Sequence, residues 1–348
     1  MKITEVTITG HEKVLRVEEP SLGLTGFIAV HSTALGPAAG GLRMRPYADE
    51  AAALTDVLRL SRGMTYKNAA AGLPLGGGKA VILGDPAQKT AQMLEAFGRA
   101  IDTLQGRYWT AEDMGMSPAD MAHVAAGTAH VAGLPDGEFA SGDPSPITAR
   151  GIFNAIKVTA RHRLGTEDLS GRRVALQGLG HVGVHLARML HDAGAQLIVA
   201  DMDAARVAQA VADYGAEAVA PDAILGVEAD ILAPCAVGAV LNAETIPALR
   251  VAAVAGGANN QLATPEDAAR LQARGILYAP DFVANAGGII NVATEILRIR
   301  DRDAFVAEKL LAAEATLERI LTNAARTGRS PADLAEETVE ALLDRRAA

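Results

Sequence analysis

The feature that most restricts what this chain can become is the run Val174-Ala-Leu-Gln-Gly178-Leu-Gly180-His-Val-Gly183. Its glycines have the spacing G-x-G-x-x-G, a weak signal when it stands alone. Here a β-patterned apolar stretch (Arg173 to Gln177) precedes it and a helical pattern (Val184 to Ala193) follows. In that setting the first glycine makes a tight turn, the second admits a pyrophosphate against the backbone, and the third brings helix onto strand. The free amides at the helix start, from His181, Val182 and Gly183, then face the anion. The next strand pattern, Gln196 to Ala200, runs into Asp201, the distance at which an acid meets the adenosine ribose. A carboxylate there repels a 2′-phosphate, so the expected cofactor is NAD, with Gly178, Gly180, Gly183 and Asp201 as its principal ligands. Arg206 reads as a solvated helix residue, and a glycine turn with no ligand is the bland alternative.

Further strand patterns at Asp230 to Ala233, Val251 to Ala255 and Ile276 to Ala279 alternate with helical ones. That alternation predicts a parallel, doubly wound sheet. At 348 residues the chain exceeds the usual single domain, so two are expected. The first third mixes β-patterned runs (Ile3 to Ile8, Phe27 to His31, Ala80 to Leu83) with helices at Glu50 to Arg62 and Thr90 to Leu104, and carries two glycine-rich turns, Gly36 to Gly41 and Gly76 to Gly78. The Pro- and Gly-bearing stretch from Ala140 to Thr148 reads as the connection. The predicted architecture is α/β: residues 1–140 form an N-terminal α/β domain, and residues 141–325 a Rossmann-type nucleotide domain. Residues 326–348 are a closing helix that could pack back on the first domain, with Ser330 and Pro331 as its start.

Apolar residues make up 49% of the chain while aromatics are only 3%, so small aliphatic side chains must fill the core, as suits helices laid on a parallel sheet. The net charge of −9 is spread without a basic block, which argues against nucleic acid. The single cysteine, Cys235, excludes an intrachain disulfide and fits a reducing cytoplasm; its plain reading is a small buried hydrophobe. No stretch reaches the roughly 18 apolar residues of a membrane span, the amino terminus lacks a signal-peptide pattern, and no cluster has metal-ligand spacing. A cytoplasmic protein without a metal is expected.

Two lysines stand in a mostly apolar segment, Gly63-Met-Thr-Tyr-Lys67 through Gly76-Gly-Gly-Lys79. Lys79 follows three glycines and leads into Ala80-Val-Ile, so its stem enters an apolar segment. Surface, phosphate-contact and catalytic readings all stay open for it. The P-loop spacing G-x-x-x-x-G-K-[ST] is absent, and Ala80 stands where the metal-binding hydroxyl belongs. A third candidate is Thr110-Ala-Glu112-Asp113-Met-Gly115, whose paired acids read alone as a solvated turn.

Taken together, these segments resemble the Glu/Leu/Phe/Val dehydrogenases from about Gly36 to Thr294. The matching blocks are Gly36-Pro-Ala-Ala-Gly-Gly-Leu-Arg-Met44, Met64 to Lys79, Thr110 to Gly115, Ser145-Pro-Ile-Thr-Ala149, the glycine fingerprint, Ala255-Gly-Gly-Ala-Asn-Asn260 and Pro280 to Gly288. The resemblance implies NAD-dependent oxidative deamination of an L-amino acid to a 2-oxo acid and ammonia, in a homo-oligomer. It implies that Lys67 holds the substrate carboxylate with the backbone at Gly40 and Gly41, that Lys79 lies beside the reacting carbon, and that Asp113 is the acid–base residue. Two neighbouring cations disfavour each other's charge, which suits one of them to proton transfer. Asn259 would contact the nicotinamide ribose or the substrate amine, and Thr148 the nicotinamide.

The pocket positions implied by the resemblance are Ala39, Met64, Ala111, Ile289 and Val292, all apolar, which disfavours glutamate because its carboxylate would be buried unpaired. By the same resemblance, alanine at 111 and the Ile289-Ile-Asn-Val292 run are similar to the branched-chain pattern and imply leucine, valine and isoleucine over phenylalanine or tryptophan. Leu42 and Met116 stand where threonine is common in the family and are expected to reshape the pocket edge. Two other readings are a hydroxy-acid dehydrogenase, which usually pairs a histidine with a carboxylate, and an NAD-binding redox-sensing module, which leaves Lys67, Lys79 and Asp113 unexplained.

Overall fold

The computed structural model describes residues 1–347, and their backbone separates into two compact units. Unit 1 comprises Met1–Asp143, Ile289–Ala307 and the segment from Ala341; unit 2 comprises Pro144–Gly288 and Glu308–Glu340. Among the described residues no helix is long and apolar enough to cross a membrane.

Unit 1 is built on a mixed sheet. Strands β1 (Lys2–Glu5), β2 (Lys13–Glu19) and β3 (Leu24–Ser32) form an antiparallel meander whose third strand pairs with β6 (Gly76–Leu83). On the far side of β6 lie β4 (Ala38–Ala39), β5 (Leu42–Arg45) and β7 (Tyr108–Trp109), and there the pairing is parallel. Helix α1 (Glu50–Ala70), capped by Asp49 accepting from the Ala52 amide, packs against β6 and β3. Helices α2 (Ala91–Asp102) and α3 (Pro118–Ala125) pack on each other; α2 is capped by Thr90, and α3 by a reciprocal Ser117/Asp120 box.

The stretch Gly76 to Gly78, expected as a turn, is the first part of strand β6. A Cβ on Gly77 would stand 2.1 Å from the Thr65 amide of α1, and one on Gly78 2.5 Å from the Tyr108 ring. Glycine is required there because helix and ring press onto the strand, not because the chain turns. Helix α1 runs beyond the expected Arg62 to Ala70, and Ser61 and Thr65 in its later turns lie against this strip.

In unit 2, α4 (Ser145–Leu164) precedes the strands β8 (Arg173–Gln177), β9 (Gln196–Ala200), β10 (Glu217–Ala218), β11 (Ile231–Pro234), β12 (Ala253–Val254) and β13 (Leu277–Tyr278). All pair in parallel, in the order β10-β9-β8-β11-β12-β13. This is the doubly wound arrangement in which the strand order reverses between β8 and β11, where such sheets bind ligands. Connecting helices include α5 (His181–Asp192), α6 (Ala204–Tyr214), α7 (Glu266–Ala273) and the short α8 (Asp281–Ala284). Three helices close the chain: α9 (Gly287–Ile296), α10 (Arg302–Thr327) and α11 (Pro331–Ala347).

Residues 289–307, which the sequence places with the nucleotide domain, group with unit 1. A buried carboxylate ties them there. Glu295 accepts hydrogen bonds from the Gly133 and Ser141 amides (2.8 and 3.1 Å) and from the Ser141 hydroxyl (3.0 Å), and Arg302 donates to the carbonyls of Ala140 and Ser141. Polar pairs of long sequence separation leave no periodic trace, so they cannot be read from the pattern.

Candidate active site

In unit 1 two glycines join β4 to β5 where no side chain could fit. A Cβ on Gly40 would lie 2.0 Å from the Gly78 carbonyl oxygen, and one on Gly41 2.8 Å from the Asp113 Cβ. The Gly40 amide donates to the Trp109 carbonyl, and the Tyr108 hydroxyl donates to the Gly40 carbonyl at 2.7 Å. What Gly40 offers a ligand is therefore close approach, not its own N–H. Met64, half-buried on α1, packs over Gly40, and Lys67 lies one turn further along the same helix, also half-buried.

Lys79 stands within β6 with only 5% of its surface exposed, and its ammonium is ion-paired with Asp113 Oδ2. Burial alone would push the Asp113 carboxyl up, but the Lys79 and Arg43 cations and the Met114 amide outweigh it and hold the group well below the usual carboxylate range. Asp113 is thus a half-buried, ionised acid held by cations rather than part of a freely solvated turn. Arg43, to which the sequence reading gave no role, reaches the same carboxylate: Nε and Nη2 each lie 3.3 Å from Oδ1, while Nη1 donates to Asp56 at 3.1 Å. Its only sequence signal was its place after the glycine pair.

Of the remaining unit 1 positions, Ala111 lies beside Gly133, and Ile289 and Val292 sit on α9 together with Glu295. Val292 and Glu295 are one turn apart on one face, so the Glu295 hydrogen bonds hold that face to the Gly133 loop. Ala39 is fully covered between its strand partners Gly77 and Trp109. The two departures from the family pattern point away from this region: Leu42 is wholly buried in the core shared with Ile82, Phe97 and Tyr108, and Met116 packs against that cluster. Strand alternation explains Leu42, since its neighbour Arg43 takes the opposite face.

In unit 2 the three fingerprint glycines do different work. Gly178 has φ +98°, and a Cβ on Gly183 would lie 2.0 Å from the Gly178 carbonyl oxygen, so both are demanded by the protein itself. Around Gly180 the nearest atom to an added Cβ is an Arg206 nitrogen at 3.8 Å. That open space lies at the start of α5, which has no side-chain cap, so a diphosphate fits there against the amides of His181, Val182 and Gly183. Asp201 Oδ2 accepts from the Leu179 amide inside the fingerprint (2.6 Å), and Oδ1 from the Asp203 amide (2.8 Å). Against the effect of burial, these bonds keep its carboxyl below its ordinary value, and ionised. Arg206 pairs with Asp203 at 3.2 Å.

Asn259 is exposed, and its side-chain oxygen accepts from Asn285 at 2.9 Å. Asn285, buried and also bonded to the Gly257 carbonyl, was missed; its place in the Pro280 to Gly288 block was the available clue. Thr148, half-buried near the start of α4, donates to the Pro144 carbonyl, and a Cβ on Gly288 would lie 3.0 Å from its hydroxyl. Cys235 accepts from the Gly257 amide at 3.4 Å, and burial pushes its thiol up to about 12, so it is inert as a nucleophile.

Residues 11–130 match the family model described as Glu/Leu/Phe/Val dehydrogenase, dimerisation domain, and residues 199–341 match Glutamate/Leucine/Phenylalanine/Valine dehydrogenase. The chain is 51% identical to leucine dehydrogenase of Geobacillus stearothermophilus over 287 residues, 82% of this chain and 78% of that protein. It is 43% identical to phenylalanine dehydrogenase of Caldalkalibacillus thermarum over 351 residues, 99% of this chain and 94% of the relative. Among solved structures, L-tryptophan dehydrogenase from Nostoc punctiforme superposes with a TM-score of 0.84 at 40% identity, covering 97% of each chain.

Proposed function

This chain belongs to the Glu/Leu/Phe/Val dehydrogenase family, and from that premise we propose that it is an NAD-dependent dehydrogenase of branched-chain L-amino acids, leucine, valine and isoleucine. The observation that carries the reading is the pair of buried Lys79 and half-buried Asp113 beside the Gly40–Gly41 turn. A lysine in an apolar strand, paired with an ionised aspartate, is costly to bury and is better explained by chemistry than by stability.

Unit 2 would hold the dinucleotide through Gly178, Gly180, Gly183, Asp201, Thr148 and Asn259, and Asp201 would favour a free ribose over a 2′-phosphate. Bound there, NAD supplies the acceptor for the substrate's α-hydride. Lys67 binds the α-carboxylate near Gly40 and Gly41. Once the amino acid has become an imine, Asp113 takes a proton from the attacking water and returns one to the departing nitrogen, while the Lys79 ammonium stabilises the oxygen as it gains charge. The products are a 2-oxo acid and ammonia, and the reverse direction uses the same groups. Apolar side chains at Ala39, Met64, Ala111, Ile289 and Val292 offer no counter-charge to a substrate carboxylate, which disfavours glutamate. The dimerisation-domain description of the family model matching residues 11–130 supports a homo-oligomer.

Initial-rate formation of NADH at alkaline pH tests this, with L-leucine, L-valine, L-isoleucine, L-phenylalanine, L-tryptophan and L-glutamate, each with NAD and with NADP. The expected result is turnover of the branched-chain substrates with NAD and none of glutamate. Aromatic substrates turned over fastest would move the assignment to the aromatic branch, since a single methyl group discriminates by only about 1–3 kcal/mol. No turnover of any substrate by folded, NAD-binding protein would overturn it.

A further inference from the structure

The Asp113 carboxylate has two unequal oxygens. Oδ1 accepts from Arg43 Nε and Nη2, both at 3.3 Å, and from the Met114 amide at 2.5 Å, which fills its lone-pair directions. Oδ2 is bonded to the Lys79 ammonium. It lies beside Gly41, where a Cβ would stand 3.3 Å from it and 2.7 Å from the Glu112 carbonyl oxygen, so only glycine lets the chain pass this close to the carboxylate. The guanidinium is itself held from behind, because Nη1 donates to Asp56 Oδ2, which also accepts from the Tyr47 hydroxyl at 2.7 Å. Arg43 has a side-chain exposure of 12%, and the chain Tyr47–Asp56–Arg43–Asp113–Lys79 runs from half-buried groups to the buried Lys79.

A planar guanidinium can do what a lysine in its place could not. It directs two N–H groups at one oxygen and a third, on its opposite edge, at a second carboxylate, which fixes its rotation. Asp113 otherwise has a free torsion about its last bond, and either oxygen could turn toward Lys79. We propose that Arg43 is a positioning residue of the amino-acid chemistry: it occupies Asp113 Oδ1 so that Oδ2 alone faces Lys79 beside the Gly40–Gly41 turn, with Asp56 and Tyr47 holding it in register. The inference rests on the dehydrogenase reading, in which Asp113 moves the protons. Arg43 itself touches neither reacting atoms nor substrate.

The test compares Arg43→Gln, Arg43→Lys and Asp56→Asn with the unaltered enzyme, on its best amino-acid substrate and over a range of pH. Groups facing Asp113 are Lys79 from β6, Arg43 from β5 and Tyr108 from β7, with Asp56 and Tyr47 behind Arg43. Removing the Arg43 cation should move the acid limb of the kcat/KM profile to higher pH, and removing Asp56 should not move it that way. Arg43→Gln should lower kcat about 30-fold or more while the substrate KM changes less than about threefold and NAD binding is unchanged. Arg43→Lys should restore the limb but only part of kcat, because it returns the charge without the fork.

A merely structural role predicts something else: a lowered melting temperature, kcat reduced only in proportion to the unfolded fraction, and the same acid limb in every variant. That result, or Arg43→Gln with wild-type kcat, overturns the inference while leaving the dehydrogenase reading intact. Failure of the unaltered enzyme on every amino acid would instead remove the reading on which it rests.

Discussion

The two units hold glycines of opposite kinds. In unit 1 the Gly76 to Gly78 strip and the Gly40–Gly41 turn are glycine because protein atoms stand where a side chain would be. In unit 2 Gly180 is glycine with nothing of the protein in the way. The first kind shapes a site by packing and leaves no ligand space of its own, whereas the second keeps space for a ligand. Similar runs of glycine in sequence therefore carry different physical meanings, and only the surrounding elements tell them apart.

This contrast can be broken most directly by alanine. Gly77→Ala, whose Cβ would meet the Thr65 amide and hydroxyl at 2.1 Å, should cost about 3 kcal/mol or more, or prevent folding, because backbone cannot yield as a side chain can. Denaturant unfolding checks it; a wild-type midpoint would show that α1 moves freely off the strand. Somewhat smaller is Glu295→Ala. It strips the acceptor from two amides and a hydroxyl that are buried around it, and about 2–3 kcal/mol of stability should go with it. If the unfolding midpoint barely moved, Glu295 could not be what holds residues 289–307 to unit 1.

On the unit 2 side, Gly180→Ala should leave the unfolding midpoint unchanged and weaken NAD roughly tenfold, about 1.4 kcal/mol, by filling the space kept for the diphosphate. Calorimetric titration reads this, and unaltered affinity would place the nucleotide elsewhere. The smallest effect concerns His31, which donates to or accepts from Thr65 Oγ1 at 2.8 Å next to the glycine strip. Burial, assisted by His11 and Arg62, lowers it from 6.5 to about 4, so it stays neutral in the folded protein while the unfolded chain takes up a proton. Its lowered value makes folding weaker as pH falls through that window, and the loss is complete below about 4. Between pH 6.5 and 4 the melting temperature should drop by a few degrees more in the unaltered protein than in His31→Asn; parallel curves would mean His31 is not responsible.

Unit 2 was legible because its information is local. Arg173 to Gln177 and Gln196 to Ala200 coincide with β8 and β9 residue for residue, since apolar β-branched runs bounded by glycine turns have few other ways to fold. Unit 1 was only half legible. Its lysines and paired acids stand out in the sequence and take their expected roles from the resemblance, but the meander strand β2 was not found, and Gly76 to Gly78 read as a turn because composition cannot reveal that α1 and Tyr108 press on it. Arg43, Glu295 and Asn285 escaped for one shared reason: each acts on a partner far away in sequence or hidden among the elements, and a single charged or amide residue has no periodicity to betray it.

If the Lys79–Asp113 pair is the chemical machinery proposed above, Lys79→Ala tests it most directly, with NADH formation from L-leucine and NAD binding measured on the same protein. The predicted result is a loss of kcat of about a thousandfold or more, equivalent to about 4 kcal/mol of transition-state stabilisation, with NAD affinity within about threefold of the unaltered enzyme. A variant that binds NAD normally and keeps a tenth or more of the activity would contradict it, and Lys79 would then be a buried structural cation.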